Sequence, residues 1–348
     1  MSAPLWAGQP QHTSAGRLYF LEYTTAEGEE VYSESTVDIV EAYGPVYADV
    51  FMSYISDDGR IKVDYRHLEM PQTDENRTYY EIRMTILEDM EIADFKDDFS
   101  IFSMDGRGVT YETVSYLDEN NKSVITEPER REKRASYYKL GMESPFFAYS
   151  YCSASADYVN MAVVVKDWDI VIGGEKYTDH LIFRDISESG LNNGTLTLDL
   201  EKVTLKAGDK IDLNLILLPW GSQETADGDI SNVLQVRQDT CLDPFKAEVT
   251  VGEIIPDSYM PKIKAENNAA EFTVSGGHNN MVVRVYGFDG WEKPVIEEKV
   301  NGEWVPYDVA SVNGYDGYMV FYDGDGTYSY AFVIPMDNGA ERIFRVNG

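Results

Sequence analysis

Val46–Met70 reads VYADVFMSYISDDGRIKVDYRHLEM, and its period decides the fold class. Val46, Ala48, Val50, Met52 and Tyr54 fall at every second position, so they share one face of a strand. Ser56-Asp57-Asp58-Gly59 supplies turn chemistry, and the return run places Ile61, Val63 and Tyr65 on one face. Together these form a long hairpin. After a second turn the period of two resumes: Tyr80, Ile82, Met84 and Ile86 alternate with Glu81, Arg83 and Thr85, which predicts a third strand with Glu81 and Arg83 as partners on its solvent side.

The same period runs through most of the chain. Strands are predicted at 17–24, 98–103, 109–117, 158–172, 195–200, 211–218, 233–237 and 246–254. Amphipathic helices are nearly absent. Residues 35–43 read equally as a short helix or a strand, and the polar stretch 117–136 reads as an excursion. Its RREKR run is expected to be a solvated patch. A seam falls at 255–265, where Pro256 and Pro261 precede polar residues. Beyond it, short runs at 271–275, 281–287, 294–300, 303–307, 318–322, 327–334 and 341–346 have the count and spacing of an immunoglobulin-like sandwich. The expected architecture is therefore all-β. A large antiparallel β-sandwich or super-sandwich over 1–258 is followed by a small immunoglobulin-like β-sandwich over 262–348.

Composition narrows the partners. The 348 residues carry 61 acidic against 29 basic side chains, a net charge of −32. Nucleic acid and anionic membranes are poor partners for such a chain, because no broad basic face is available to displace counterions. No run approaches 18 apolar residues, so no membrane insertion is expected. The start, Met-Ser-Ala-Pro-Leu-Trp, lacks the basic and apolar regions of a signal peptide. The chain is expected to be a piece of a longer protein with further domains. Cys152 and Cys241 form no CxxC pair and read as two free thiols or one disulfide.

The candidate chemistry is sparse. Ile61, Val63, Tyr65, His67 and Glu69 share one parity, so the apolar face ends in an imidazole and a carboxylate roughly 7 Å apart along the chain. His67 and Glu69 are the candidate catalytic pair, or ligand contacts; the simpler reading is that they emerge from the core at a strand end. His12, His67, His180 and His278 show no metal-ligand spacing, and no metal is expected. Neither a serine elbow nor a Walker or dinucleotide loop is present, and no cofactor is expected. Asp323-Gly324-Asp325-Gly326 lacks the ligand ladder of a calcium loop and reads as a hairpin turn. Of Trp6, Trp168, Trp220, Trp291 and Trp304, three stand at strand ends or near turns: Trp220, Trp291 and Trp304. Rings so placed stack on sugar C–H faces or plug the ends of a sandwich, and these three are the ligand-binding candidates.

Many long antiparallel strands followed by a small sandwich resemble the β-rich portions of bacterial polysaccharide-processing proteins. These are the galactose-mutarotase-like super-sandwich and the β-domains attached to lyases and glycoside hydrolases. The resemblance implies an extracellular or cell-surface region that engages carbohydrate, a binding or accessory part of a polysaccharide-degrading protein. Two alternatives remain open: a glycoside hydrolase or polysaccharide lyase with its groove on the large sheet, and a structural or adhesive module.

Overall fold

In the computed structural model of this chain the described residues are 17–31, 37–44, 46–70, 78–107, 113–127, 135–143, 145–150, 160–188, 191–220, 245–276, 280–309, 311–312, 315–336 and 340–348. Their regular structure is all strand apart from one helical turn, Phe95–Asp98. The all-β class follows from the period-two patterning, as the sequence predicts. The chain divides into two compact units. One comprises Met1–Ile39, Phe51–His67 and Glu75–Arg237; the other comprises Val40–Val50, Leu68–Asp74 and Gln238–Gly348.

A ten-stranded sheet runs in the order Ser123–Thr126, Thr113–Leu117, Phe146–Ser150, Asn160–Ile172, Lys210–Trp220, Thr78–Ile86, Ile61–Glu69, Ala48–Ile55 and Val37–Tyr43. Glu175–Lys176 is its tenth strand and pairs with the end of Asn160–Ile172. A five-stranded sheet, Arg17–Tyr19, Phe102–Arg107, Leu191–Leu198, Leu181–Glu188 and Ser136–Lys139, packs on it in the first unit. Phe147 of the larger sheet stacks on Phe183 of the smaller at 3.9 Å between centroids. Tyr116 meets Tyr138 across the same layer in a tilted pair, 4.9 Å between centroids. Phe20 fills the core between Tyr65, Tyr80 and Phe102.

In the middle of the large sheet alternation gives way to unbroken burial. Ala162, Val163, Val164 and Val165 are all fully buried, as is the paired run Leu215–Leu218 to within a percent. Both faces of these strands are covered, which is why they read as continuous apolar stretches.

Two sequence readings resolve here. Residues 37–43 form a strand, so the ambiguous 35–43 stretch is not a helix. The 117–136 excursion is corrected in part: Ser123–Thr126 is a strand paired with Thr113–Leu117. The connecting turn is held by the Asp118 carboxylate, which accepts from the Asn120 and Lys122 N–H groups, and Asn121 takes a left-handed φ of 58°. The strand lies at the sheet edge, half-buried or exposed, and therefore lacks the apolar alternation that would betray it.

The second unit is a sandwich of two five-stranded sheets. One runs Lys246–Val251, Ala269–Ser275, Arg342–Asn347, Val295–Val300 and Glu303–Pro306. The other runs Glu253–Ile255, Lys262–Lys264, Asn280–Phe288, Tyr328–Pro335 and Tyr318–Tyr322. Phe272, Val283, Val285, Phe288, Tyr330, Phe332 and Phe344 form the core between them. The strand candidates beyond the seam all appear, and Tyr318–Tyr322 pairs with Tyr328–Pro335 across the DGDG turn. The 246–254 stretch, assigned from sequence to the large domain, is hydrogen-bonded into this sandwich instead: Lys246–Val251 pairs with Ala269–Ser275 and Glu253–Ile255 with Lys262–Lys264. Gly252 is the pivot between the two sheets. Its φ is +102°, and an added Cβ would lie 2.4 Å from the Lys264 carbonyl oxygen, so only glycine fits the crossing.

Candidate functional site

The strand Ile61–Glu69 places its residues as its register dictates. Tyr65 lies in the core against Phe20. His67, two residues on, is half-buried with its ring stacked on Tyr80 at 5.1 Å. Glu69 is half-buried at the strand end. The intervening Arg66 and Leu68 are buried as well, so this end of the strand is covered on both faces.

Arg66 was not legible as a buried residue. It is 3% exposed, donates to Glu81 Oε1 at 2.9 Å and lies over the Phe51 ring. Glu81 also pairs with Arg83, whose guanidinium reaches the carbonyls of Ile82 and Leu213 and Asn214 Oδ1. Asn214 in turn donates to Asp167. Glu81 and Arg83 are thus partners, as the alternation predicts, within a row crossing four strands. Every guanidinium in this row is taken up by a protein acceptor, so the row is built to hold the sheet.

The tryptophan candidates separate sharply. Trp291 is 68% exposed on the loop Asp289–Pro294 between Asn280–Phe288 and Val295–Val300. The loop is anchored from beneath. The Tyr330 side chain, 1% exposed in the sandwich core, places its hydroxyl between the carbonyls of Gly290 and Glu292, the residues flanking Trp291, and its one proton is shared between the two acceptors. Burial pushes the Tyr330 phenol above its usual range, with help from Tyr328 and Glu292, so it stays a donor. At the loop's start Asn268 and Asp289 exchange two hydrogen bonds, Asn268 Nδ2 to Asp289 Oδ2 at 2.7 Å and Asp289 N–H to Asn268 Oδ1 at 2.9 Å. Lys293 closes the far side over the Tyr318 ring. The loop that carries this large apolar ring is anchored by one buried hydroxyl and by polar contacts at the surface.

Trp304 is different. It is half-buried on Glu303–Pro306, with the Arg345 guanidinium 4.6 Å and the Lys299 ammonium 5.5 Å from its ring centroid. Arg345 is tied to Glu297 at 2.5 Å, and that bond holds the Glu297 carboxyl below the usual carboxylate range. Trp220 ends the strand Lys210–Trp220, opposite Asn160; its side chain lies outside the described residues. Trp168 is half-buried opposite Leu213. His180 faces the Leu140 carbonyl through Nδ1. Trp6, His12, His278, Cys152, Cys241, the RREKR run at 130–134 and the 233–237 stretch fall outside the described residues. Among the described residues no group of three His, Cys, Asp or Glu side chains is placed to hold a metal. No helix there is long and apolar enough to cross a membrane.

No protein-family model matches the chain, and no curated protein matches it. Solved structures do. The GH36 α-galactosidase AgaA from Geobacillus stearothermophilus aligns over 60% of this chain and 32% of its own, with a TM-score of 0.40 and 8% identity. The galactosidase domain of the α-galactosidase–sucrose kinase AgaSK aligns over 58% and 30%, with a TM-score of 0.39 and 10% identity. A polysaccharide lyase aligns over 95% of this chain and 38% of its own, with a TM-score of 0.23 and 14% identity. The chain spans about a third of the length of each.

Proposed function

We propose that this chain is a non-catalytic glycan-binding region, an accessory part of a larger polysaccharide-degrading protein that works outside the cell. The observation that carries the reading is the Trp291 loop. Leaving an indole in water forgoes its burial, and covering one face of it, on the order of 100 Å², stabilises a complex by about 2 kcal/mol. A single exposed apolar residue is ordinary on a protein surface. A single exposed indole whose flanking carbonyls are both fixed by a core hydroxyl is preorganised, and preorganisation removes the ordering cost that weakens binding. Sugar rings present flat C–H faces that match an indole, with hydroxyls left for neighbours such as Asp289 and Glu292. The strong negative charge favours uncharged polymers over uronates or sulfated chains.

Affinity electrophoresis of the full chain through gels containing neutral polysaccharides tests this, with reducing-sugar release followed in parallel. The expected result is retardation by at least one polymer, lost in Trp291→Ala at an unchanged melting temperature, and no sugar release. Retardation that survives Trp291→Ala, or no retardation on any glycan, overturns the assignment. Sugar release that Glu69→Gln or His67→Ala abolishes without unfolding establishes the enzyme reading in its place.

A further inference from the structure

We propose that the second unit carries a receptor face for an extended aromatic and acidic segment, and that residues 46–49 of this same chain fill it as an integral part of the unit. Lys262 and Arg284 are 7% and 5% exposed, and a cation so buried is tolerated only where its partners are in place. Both draw partners from the distant segment. Lys262 meets Asp49, itself 0% exposed, at 3.4 Å, and Asp257 at 3.1 Å. Arg284 donates to the Tyr47 hydroxyl at 3.2 Å, to Ser329 at 2.9 Å and to Asp323 at 3.2 Å. Its guanidinium lies between the Tyr286 and Phe321 rings, 4.4 and 4.3 Å from their centroids. Tyr47 meets Phe321 edge-on, and Met319 reaches Gly44.

The recognition has a spacing. Tyr47 and Asp49, two residues apart on extended backbone, present a hydroxyl and a carboxylate to the same side, where they find Arg284 and Lys262. Without the segment, Lys262 keeps Asp257 but loses Asp49, Arg284 loses the Tyr47 hydroxyl, and Phe321 and Met319 lose their cover. The sequence boundary at 258–262 is then no line along which the chain comes apart, because the unit that continues from Gln238 to Gly348 also needs Tyr47 and Asp49, encoded far upstream.

The full chain with a protease site placed at residues 238–243 is the test. After cleavage the two pieces are expected to co-elute in native size-exclusion chromatography and to separate only in denaturant. Separation without denaturant, with the C-terminal piece folded or unfolded, overturns the proposal. Hydrogen exchange on the uncut chain gives a second readout. Asp49→Ala is expected to speed exchange in Asn280–Phe288 and Tyr318–Tyr322 at least about tenfold, while Ser53→Ala, further along the same strand, leaves them unchanged. Equal effects of the two substitutions, or none from Asp49→Ala, also overturn it.

Discussion

The loop Asp289–Pro294 and the strand Glu303–Pro306 belong to one sandwich, and each presents a tryptophan. They use it in opposite ways. On the strand, Arg345 and Lys299 lie against the Trp304 ring, so its π-face is already engaged by cations of the chain. On the loop, the anchoring falls on the backbone at Gly290 and Glu292, and the Trp291 ring is left in solvent. Exposure of an aromatic is therefore a weaker sign of recognition than the way its backbone is held. A ring fixed by side chains stabilises its own sheet; a ring presented by a fixed backbone is available to something else.

The sharpest way to break this comparison is Trp291→Ala. It is expected to weaken glycan retention by about 2 kcal/mol, some thirtyfold, with no change in melting temperature. Isothermal titration with the polymer found in the gel screen measures it, and a stability loss without a binding loss would place Trp291 with Trp304. Next in size is Tyr330→Phe. It keeps the core ring and removes the clamp, so unfolding stability should fall by about 1–2 kcal/mol in urea titrations, with a smaller loss of binding as the loop loosens. Trp304→Ala should lower the melting temperature by about 2 °C and leave glycan retention intact. The smallest effect is one of pH. Arg345 holds the Glu297 carboxyl below its ordinary value, so the pair's contribution is present above the unfolded carboxylate pKa and is lost as pH falls through the lower folded value. Wild type and Glu297→Gln should differ slightly in melting temperature at pH 6 and converge once the pH has fallen through the lowered folded value of the Glu297 carboxyl.

What was legible in the sequence was whatever a strand's own period encodes. Ile61, Val63 and Tyr65 fixed the inward face, and the DGDG turn placed its hairpin, since a turn and its flanks lie together in the chain. Partner choice was not legible. Lys246–Val251 alternates Ala247, Val249 and Val251 with polar residues just as strands of the large sheet alternate, and only its pairing with Ala269–Ser275 assigns it elsewhere. The burial of Arg66 was equally hidden, because a charged residue at an even position reads as solvent-facing until Glu81 and Phe51 are brought to it. At the candidate site, the turn before Trp291 was visible as Asp289-Gly290. The Tyr330 anchor lay 40 residues away, and no local pattern points to it.

The doubly covered strands at the centre of the large sheet carry a consequence for the chain before it folds. Ala162–Val165 and Leu215–Leu218 are uncharged, β-prone and rich in branched side chains, the composition of segments that stack into cross-β fibrils when exposed. Their neighbours act as gatekeepers: Lys166, Asp167 and Asp169 follow the first run, and Lys210 and Asp212 precede the second. During synthesis the first run emerges about fifty residues before the strand that covers its edge, an interval set by the 162-to-215 separation. Over that interval, self-association is opposed by charge alone, and the excess of acidic residues across the chain keeps nascent copies apart until Lys210–Trp220 arrives.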